Sequence, residues 1–263
     1  MGGVPLGGRC RPGAARRPGL NSLRALWRLA RALLHALAGW LTITLMFPRW
    51  DQQRRNAGVQ AWAQRMLRIL GIPLHVSGEA PVQGPVLLVA NHLSWLDILV
   101  LHAARHCRFV SKSDVKHWPL IGTLATGGGT LYIEREKRRD AMRVVHHMAE
   151  SLKRGEIVAV FPEGTTGDGE ALLPFHANLI QAAISAGAPV QPVGLRFIDR
   201  RTGQYSIGPL YVGDDTLLSS LWRTLAGPAF VAHVRFGQPQ QADGRDRREW
   251  AHALHAAVDA LRK

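Results

Sequence analysis

Residues 86–97 read VLLVANHLSWLD, and this stretch decides the fold. Its first five residues are all apolar and lack the alternation of a strand that has one face in water. Short apolar runs of this kind are typical of strands buried on both faces, as in parallel sheets covered by helices. The polar turn that follows puts His92 at the carboxyl end of the strand, where open α/β sheets bind their ligands.

Short apolar runs and helical patterns alternate on the carboxyl side of this stretch. Two helical segments, residues 141–154 and 178–186, are each followed by a glycine, the residue that most often terminates a helix. We therefore expect an α/β fold with a mixed, mainly parallel sheet flanked by helices, preceded by an N-terminal membrane-associated helical segment. The predicted strands are residues 86–90, 108–111, 130–133, 157–161, 190–197 and 229–236.

His92 and Asp97 are the strongest candidates for chemistry. A turn that leads into a helix can bring the Asp97 carboxylate back to the imidazole, fixing its tautomer and stabilising its charged form. Such a pair suits a general base. The alternative is a buried histidine beside an aspartate that caps a helix. Ser94 and Cys107 are candidate nucleophiles, but neither lies in a G-x-S-x-G sequence, so we disfavour a covalent intermediate.

Two further segments are predicted to reach the same edge of the sheet. The turn PEGTT follows the strand at residues 157–161, and the segment GTLYIER at residues 129–135 ends in an arginine that can hold an anionic group. Taken alone, the PEGTT turn can also be an ordinary polar glycine turn with a surface glutamate. Arg135 can likewise be an ordinary surface charge. The candidate binding residues from these segments are Glu163, Gly164, Thr165, Thr166 and Arg135.

The N-terminal 50 residues carry basic charge and an apolar run. Residues 1–22 are rich in Gly, Pro and Arg without any acidic residue, which favours a disordered basic arm. Residues 32–48 contain no charged side chain and are bracketed by arginines. This pattern favours membrane insertion, either spanning or re-entrant, over a buried core helix.

A basic amphipathic helix is predicted directly after this run, because apolar residues between positions 59 and 70 recur at helical spacing with arginines between them. Its apolar face can lie in the head-group region of a membrane, or it can pack on the protein core. Its position beside the apolar run favours the membrane. We expect a basic arm at residues 1–22, membrane-associated helices at 23–71 and a catalytic domain at 72–263.

The formal net charge of +14 favours an anionic partner, which can be nucleic acid, an anionic lipid surface or an acidic carrier protein. No zinc finger, helix-turn-helix or RNA-binding aromatic motif supports a nucleic-acid module, so we expect no nucleic-acid partner. The two cysteines, Cys10 and Cys107, show no metal-binding or disulfide spacing. We expect no metal and no secretory signal, with the body on the cytoplasmic side.

Taken together, NHLSWLD, GTLYIER, FPEGTT and the looser VQPV at residues 190–193 resemble the four sequence blocks of the phospholipid/glycerol acyltransferase family, which includes the lysophosphatidic acid acyltransferases. The resemblance covers roughly residues 55–237. It implies transfer of an acyl chain from a thioester of acyl carrier protein or coenzyme A to the hydroxyl of a lysolipid, in phospholipid biosynthesis at the bacterial inner membrane. His92 would deprotonate the hydroxyl without any cofactor, and backbone N–H groups near Gly164 would stabilise the oxyanion.

The acceptor head group is the main departure from the family pattern. Where members that use a phosphate monoester have an arginine after E-G-T and a lysine after a later P-F, this chain has Thr166 and His176. Asp168 and Glu170 add acidic charge nearby, so the sequence also resembles acyltransferases that act on lyso-ornithine lipid. We expect lysophosphatidic acid as the acceptor, because Arg135 and Lys112 can still supply positive charge, with lyso-ornithine lipid as the alternative. A non-catalytic membrane-binding protein is the alternative of another class.

Overall fold

The computed structural model describes residues 18–133 and 138–263. Residues 1–17 of the predicted basic arm lie outside the described residues, and so does Arg135.

The described residues form one seven-stranded sheet with the order β1-β7-β6-β2-β5-β3-β4. Neighbouring strands run parallel, except that β6 and β7 are antiparallel. The prediction of a mixed, mainly parallel sheet is confirmed. The strands are β1 (Leu74–Ser77), β2 (Val86–Ala90), β3 (Arg108–Lys112), β4 (Leu131–Ile133), β5 (Ile157–Val160), β6 (Val190–Asp199) and β7 (Phe230–Phe236).

Every strand predicted from the sequence is present, and β1 is the addition. β1 is a short edge strand whose residues are half-buried or exposed, so it lacks the apolar run that marks the central strands. β6 continues two residues beyond its predicted end, to Asp199, where it pairs with Phe230 of β7.

Helices cover both faces of the sheet and bury a separate apolar cluster on each side. One cluster joins the sheet to α1, α2, α3 and α7, and the other joins it to α5, α6 and α8. The helices are α1 (Pro18–Leu45), α2 (Gln52–Leu70), α3 (Leu96–Ala104), α4 (Ile121–Gly127), α5 (Arg138–Lys153), α6 (Gln181–Ala186), α7 (Leu217–Ala226) and α8 (Arg247–Leu261).

The N-terminal helices differ from the prediction in two respects. α1 begins at Pro18, so residues 18–22, which were assigned to the arm, belong to a helix. The apolar residues of α2 are buried in the core, including Ala63, Leu67 and Leu70, and α2 packs against α3. The membrane-facing interpretation of this amphipathic face is therefore wrong, because the sheet's own apolar cluster covers it.

Residues 32–48 form the second half of α1 and continue into a short 3-10 turn, Phe47–Arg49. Within residues 18–133 and 138–263, no helix combines the length and the apolar character that crossing a bilayer requires. The spanning alternative for residues 32–48 is thus not met by any described helix.

Candidate active site

The site is built at the carboxyl end of β2, where Asn91 fastens the strand end to its neighbour. The Asn91 side chain accepts a hydrogen bond from the backbone N–H of Leu195 at 2.7 Å and donates one to the Leu195 carbonyl at 3.0 Å. Asn91 is buried, so these bonds replace the ladder contacts that end with the strand. The next residue, His92, consequently starts from a fixed backbone position.

His92 and Asp97 meet as the sequence predicted. The imidazole Nδ1 lies 2.8 Å from Asp97 Oδ2, and the same oxygen accepts the backbone N–H groups of Leu93 at 2.6 Å and Ser94 at 2.9 Å. Asp97 is fully buried in the first turn of α3, where the helix dipole favours a carboxylate. Three donors on one oxygen hold the carboxylate and, through it, the orientation of the ring.

The imidazole ring of His92 is stacked on Phe161, with the centroids 4.0 Å apart and the planes 8° from parallel. The His92 side chain keeps 20% of its surface exposed. Because Asp97 engages Nδ1, the nitrogen that remains for a substrate is Nε2. Sequence reasoning missed Phe161, since it was counted only as the last residue of a strand.

Glu163 connects the PEGTT turn to the turn that carries His92, and both of its carboxylate oxygens accept hydrogen bonds from the protein. Oε1 accepts the backbone N–H of His92 at 2.7 Å, and Oε2 accepts the backbone N–H of Leu173 at 2.9 Å. Burial raises the pKa of this carboxyl, and the two backbone donors act in the opposite direction. Glu163 was predicted to bind substrate. Its buried position and both of its hydrogen bonds make it a residue that positions His92 and the following loop instead.

Other residues of the PEGTT turn also make contacts within the protein. Gly164 has a φ of +73°, and a Cβ at this position would lie 3.0 Å from the ring of His176. The Gly164 amide donates to the Phe161 carbonyl at 3.1 Å, a bond that closes the turn. A role for backbone N–H groups near Gly164 in stabilising the oxyanion stays a prediction. Thr165 is exposed on the surface.

Thr166 joins the site to a segment that sequence reasoning missed. Its hydroxyl donates to the carbonyl of Tyr211. The Tyr211 amide in turn donates to the Leu93 carbonyl at 3.0 Å, and the Gly167 amide donates to the His92 carbonyl at 2.8 Å. The backbone around Tyr211 therefore bridges the turn that carries His92 and the turn that carries Thr166. No short motif marks this segment in the sequence.

The candidate nucleophiles are both enclosed. Ser94 is fully buried, and its hydroxyl accepts the Leu96 amide at 3.3 Å, as expected of a residue at a helix start. Cys107 is buried, and burial raises the pKa of its thiol, which disfavours the reactive thiolate. This geometry agrees with direct attack by the acceptor hydroxyl. Lys112, a predicted binding residue, ends β3 and pairs with Ile133 of β4.

The sequence of this chain is similar to those of known acyltransferases. The family model described as Acyltransferase matches residues 73–196. A lyso-ornithine lipid O-acyltransferase of Pseudomonas aeruginosa is 40% identical over 242 residues, which cover 90% of this chain and 92% of that protein. A 1-acyl-sn-glycerol-3-phosphate acyltransferase of Neisseria gonorrhoeae is 40% identical over 183 residues, covering 69% of this chain and 71% of that protein.

Among solved structures, the fold is similar to the crystal structure of the 1-acyl-sn-glycerophosphate acyltransferase PlsC from Thermotoga maritima. The TM-score is 0.70 at 19% sequence identity, over 93% of this chain and 97% of that chain. The matched residues 73–196 contain His92, Asp97 and the PEGTT turn. The chain therefore belongs to the acyltransferase family.

Proposed function

We propose that this protein transfers an acyl chain from a thioester, carried by acyl carrier protein or coenzyme A, to the free hydroxyl of a lysolipid. The observation that carries the proposal is the His92–Asp97 pair, with Nδ1 held at 2.8 Å by a buried carboxylate and the ring partly exposed. A histidine oriented in this way is suited to general base catalysis at Nε2. The alternative to an enzyme is a membrane-binding protein that catalyses no reaction, and that alternative does not explain the buried His92–Asp97 pair.

The reaction follows from this pair in two proton transfers. His92 Nε2 takes the proton of the acceptor hydroxyl as its oxygen attacks the thioester carbonyl, and Asp97 stabilises the imidazolium that forms. The tetrahedral intermediate then collapses, its C–S bond breaks, and the departing thiolate receives the proton from the imidazolium. The ester forms without an enzyme nucleophile, in agreement with the enclosed Ser94 and Cys107.

For the acceptor, we now place lyso-ornithine lipid ahead of lysophosphatidic acid. The Thr166 hydroxyl, which stands where phosphate-binding relatives are expected to have an arginine, already donates to the Tyr211 carbonyl. Asp168, which is exposed, and Glu170 follow in the same loop and suit the ammonium group of ornithine. The relative that aligns over 90% of the chain is named for lyso-ornithine lipid.

Lysophosphatidic acid is the second candidate, because the Neisseria relative named for this activity is also 40% identical over 69% of the chain. The test offers the purified enzyme both acceptors side by side, with labelled acyl carrier protein thioester and labelled acyl-coenzyme A in separate arms. We expect acylation of lyso-ornithine lipid. Acylation of lysophosphatidic acid alone would reverse the order, and acylation of neither with either donor would contradict the proposed function.

A matched variant connects this test to Thr166. Thr166→Arg introduces the five-donor guanidinium that recognises phosphate. We expect the ratio of activity on lysophosphatidic acid to activity on lyso-ornithine lipid to rise at least tenfold in this variant. Thr165→Arg, one residue earlier and exposed, is the control for added charge and should change the ratio far less.

We further propose that the protein is attached to the cytoplasmic face of the bacterial inner membrane through α1. Ala25, Leu29, Ala32 and Ala36 pack this helix on the protein core. Its outer side is strongly apolar yet exposed to solvent. An exposed apolar surface on a helix that also carries arginines is typical of helices that lie in the membrane interface. The exposed apolar residues of α1 are Leu23, Leu26, Trp27, Leu33, Leu34, Leu37, Trp40, Leu41 and Leu45.

A further inference from the structure

A groove of about 940 Å³ lies away from His92, between the start of α1, the end of α2, the end of α7, the end of β6 and the start of β7. β6 leads towards it from the active site. Asn91 holds Leu195, and the strand continues to Asp199, which lines the groove. Four residues of extended strand span roughly 13 Å, so the groove is separate from the catalytic turn.

Four arginines line this groove, Arg24 and Arg28 from α1 and Arg200 and Arg201 from the turn after β6. Arg24 and Arg28 are one helical turn apart, a spacing at which like charges repel. Burial and the charge of Arg24 both lower the pKa of Arg28, whose guanidinium packs over Gly71. The groove thus concentrates positive charge at a cost to the free protein, which a bound anion would offset.

The protein supplies little negative charge to balance these arginines. Asp199 is the acidic residue in the groove lining, and its Oδ1 accepts the backbone N–H groups of Arg201 at 2.7 Å and Thr202 at 2.9 Å. In the part of the chain that the structure describes, no ion pair joins Arg24, Arg28, Arg200 or Arg201 to a carboxylate. In the sequence, no acidic residue precedes Asp51.

The remaining walls are largely apolar and include Leu70, Ile72, Leu225 and Phe230. Cationic groups beside apolar walls fit an anion that carries a hydrocarbon portion better than a free inorganic ion. The first turns of α1 bear the exposed side chains of Leu23 and Trp27. The same helix therefore presents arginines to the groove and apolar side chains to its surroundings.

We infer that this groove binds the phosphate head group of an anionic phospholipid of the bilayer, distinct from the lysolipid that reacts at His92. The inference rests on the proposed attachment of α1 to the membrane and adds a lipid-selective site to it. An acidic carrier protein is the competing partner for a basic surface. The recessed, apolar-walled form of the groove and the apolar side chains beside it favour the lipid.

The experiment measures binding of the full chain to vesicles of phosphatidylcholine, with and without phosphatidylglycerol, for three double variants. Arg24→Gln with Arg28→Gln and Arg200→Gln with Arg201→Gln remove charge from the groove. Arg247→Gln with Arg248→Gln removes two exposed charges from the first turn of α8, on the other face of the sheet, and serves as the control.

A cation near an anionic surface contributes about fivefold to binding. Each groove variant should therefore lose about 25-fold in affinity for vesicles that contain phosphatidylglycerol, while the α8 variant changes less than about threefold. A second measurement uses dihexanoyl phosphatidylglycerol below its micelle concentration. We expect saturable one-to-one binding to the unaltered protein and its loss in the groove variants. Arg24→Lys with Arg28→Lys keeps the charge and should retain most vesicle binding, which separates charge loss from misfolding.

Several outcomes would overturn the inference. Equal losses in the α8 and groove variants would indicate diffuse charge, and absence of binding to the monomeric lipid would exclude a built site. Unchanged vesicle binding with a raised KM for acyl carrier protein in the groove variants would assign the groove to the carrier. Failure of the unaltered protein to bind any vesicle would reject this site and the membrane attachment, while acyl transfer in detergent would leave the proposed reaction standing.

Discussion

Asp97 places one carboxylate oxygen against three donors, the His92 ring nitrogen and two backbone amides. His92→Ala removes the general base, and we expect the turnover number to fall by about 10²–10⁴-fold, the usual contribution of a positioned base. Asp97→Asn should also lower turnover strongly, because an amide cannot stabilise the imidazolium in the same way. Steady-state acyl-transfer rates check both.

His252→Ala, an exposed histidine of α8, is the matched control and should keep full activity. Vesicle binding should survive in all three variants, because α1 is untouched. Unchanged turnover in His92→Ala would show that another group acts as the base and would remove His92 from the mechanism.

Glu163 carries a separate prediction, because it acts on the reaction only through backbone. In Glu163→Gln the side-chain NH₂ faces an amide donor, so one of the two bonds to His92 and Leu173 is lost at a buried site. We expect the free energy of unfolding to fall by about 1–3 kcal/mol and the turnover number to fall while KM for the acceptor changes little. Denaturant unfolding and steady-state kinetics measure the two effects.

Glu150→Gln is the control, since this carboxylate lies at the surface of α5 beside Lys153. Its unfolding free energy should change by less than about 0.5 kcal/mol. A large increase in KM with normal turnover in Glu163→Gln would show that this carboxylate binds substrate after all, as the sequence had predicted.

These residues also mark how far the site could be read from the sequence. The His92–Asp97 pair was predictable, because its geometry depends on one local turn and the start of one helix. The hydrogen bonds of Glu163 and Thr166 were not predictable, because their partners Leu173 and Tyr211 lie 10 and 45 residues away and contribute only backbone groups. A backbone donor or acceptor has no residue-type signature, so only the folded chain reveals such a partner.

At the scale of elements, the outer side of α1 is the feature that calls for a test. Deleting residues 1–50 would also remove the core contacts of Ala25 and Leu29, so substitution at the surface is the cleaner change. Trp27, Leu34 and Leu41 expose 65%, 67% and 48% of their surface. Changing all three to Gln should weaken vesicle binding on the order of 100-fold, at about 1 kcal/mol for each partly inserted side chain.

The matched control changes Val82 and Met142, which are 84% and 75% exposed, to Gln. Cosedimentation with vesicles should be unaffected in the control, and the unfolding free energy should be nearly unchanged in both proteins. If the triple variant stays wholly in the membrane fraction, α1 is not the attachment element.

The central elements were predictable because burial leaves a strong pattern. β2, an unbroken apolar run, was predicted with both of its ends. β1 was missed because a four-residue edge strand, LHVS, has no unbroken apolar run, and its position depends on pairing with β7. α2 was predicted as a helix but given the wrong environment, since an amphipathic pattern does not distinguish a membrane from a protein core.

At the scale of the whole molecule, the core on the α3 side encloses two neutral histidines. His102 and His106 are stacked with centroids 5.3 Å apart, and the Nδ1 atom of each is buried without a hydrogen-bond partner in the described residues. Burial lowers the pKa of His102 to about 3, with a smaller contribution from His106. Burial and the neighbouring Arg108 and Arg105 lower the pKa of His106 to about 4.

Because both folded-state pKa values lie below the ordinary value of about 6.5, the unfolded chain binds these two protons more readily than the folded protein does. The free energy of unfolding is therefore unaffected by these two histidines above pH 6.5 and decreases as the pH falls towards 4. Each histidine should contribute a slope of about 1.4 kcal/mol per pH unit in this interval.

His102→Leu should remove one such slope, measured by denaturant unfolding between pH 7 and pH 4.5. Val100→Ala, in the same helix, is the control: it opens a cavity without removing a titrating group, so it should lower stability by a similar amount at each pH and leave the slope unchanged. An undiminished slope in His102→Leu would mean that carboxylates, rather than this buried pair, govern the acid sensitivity of the fold.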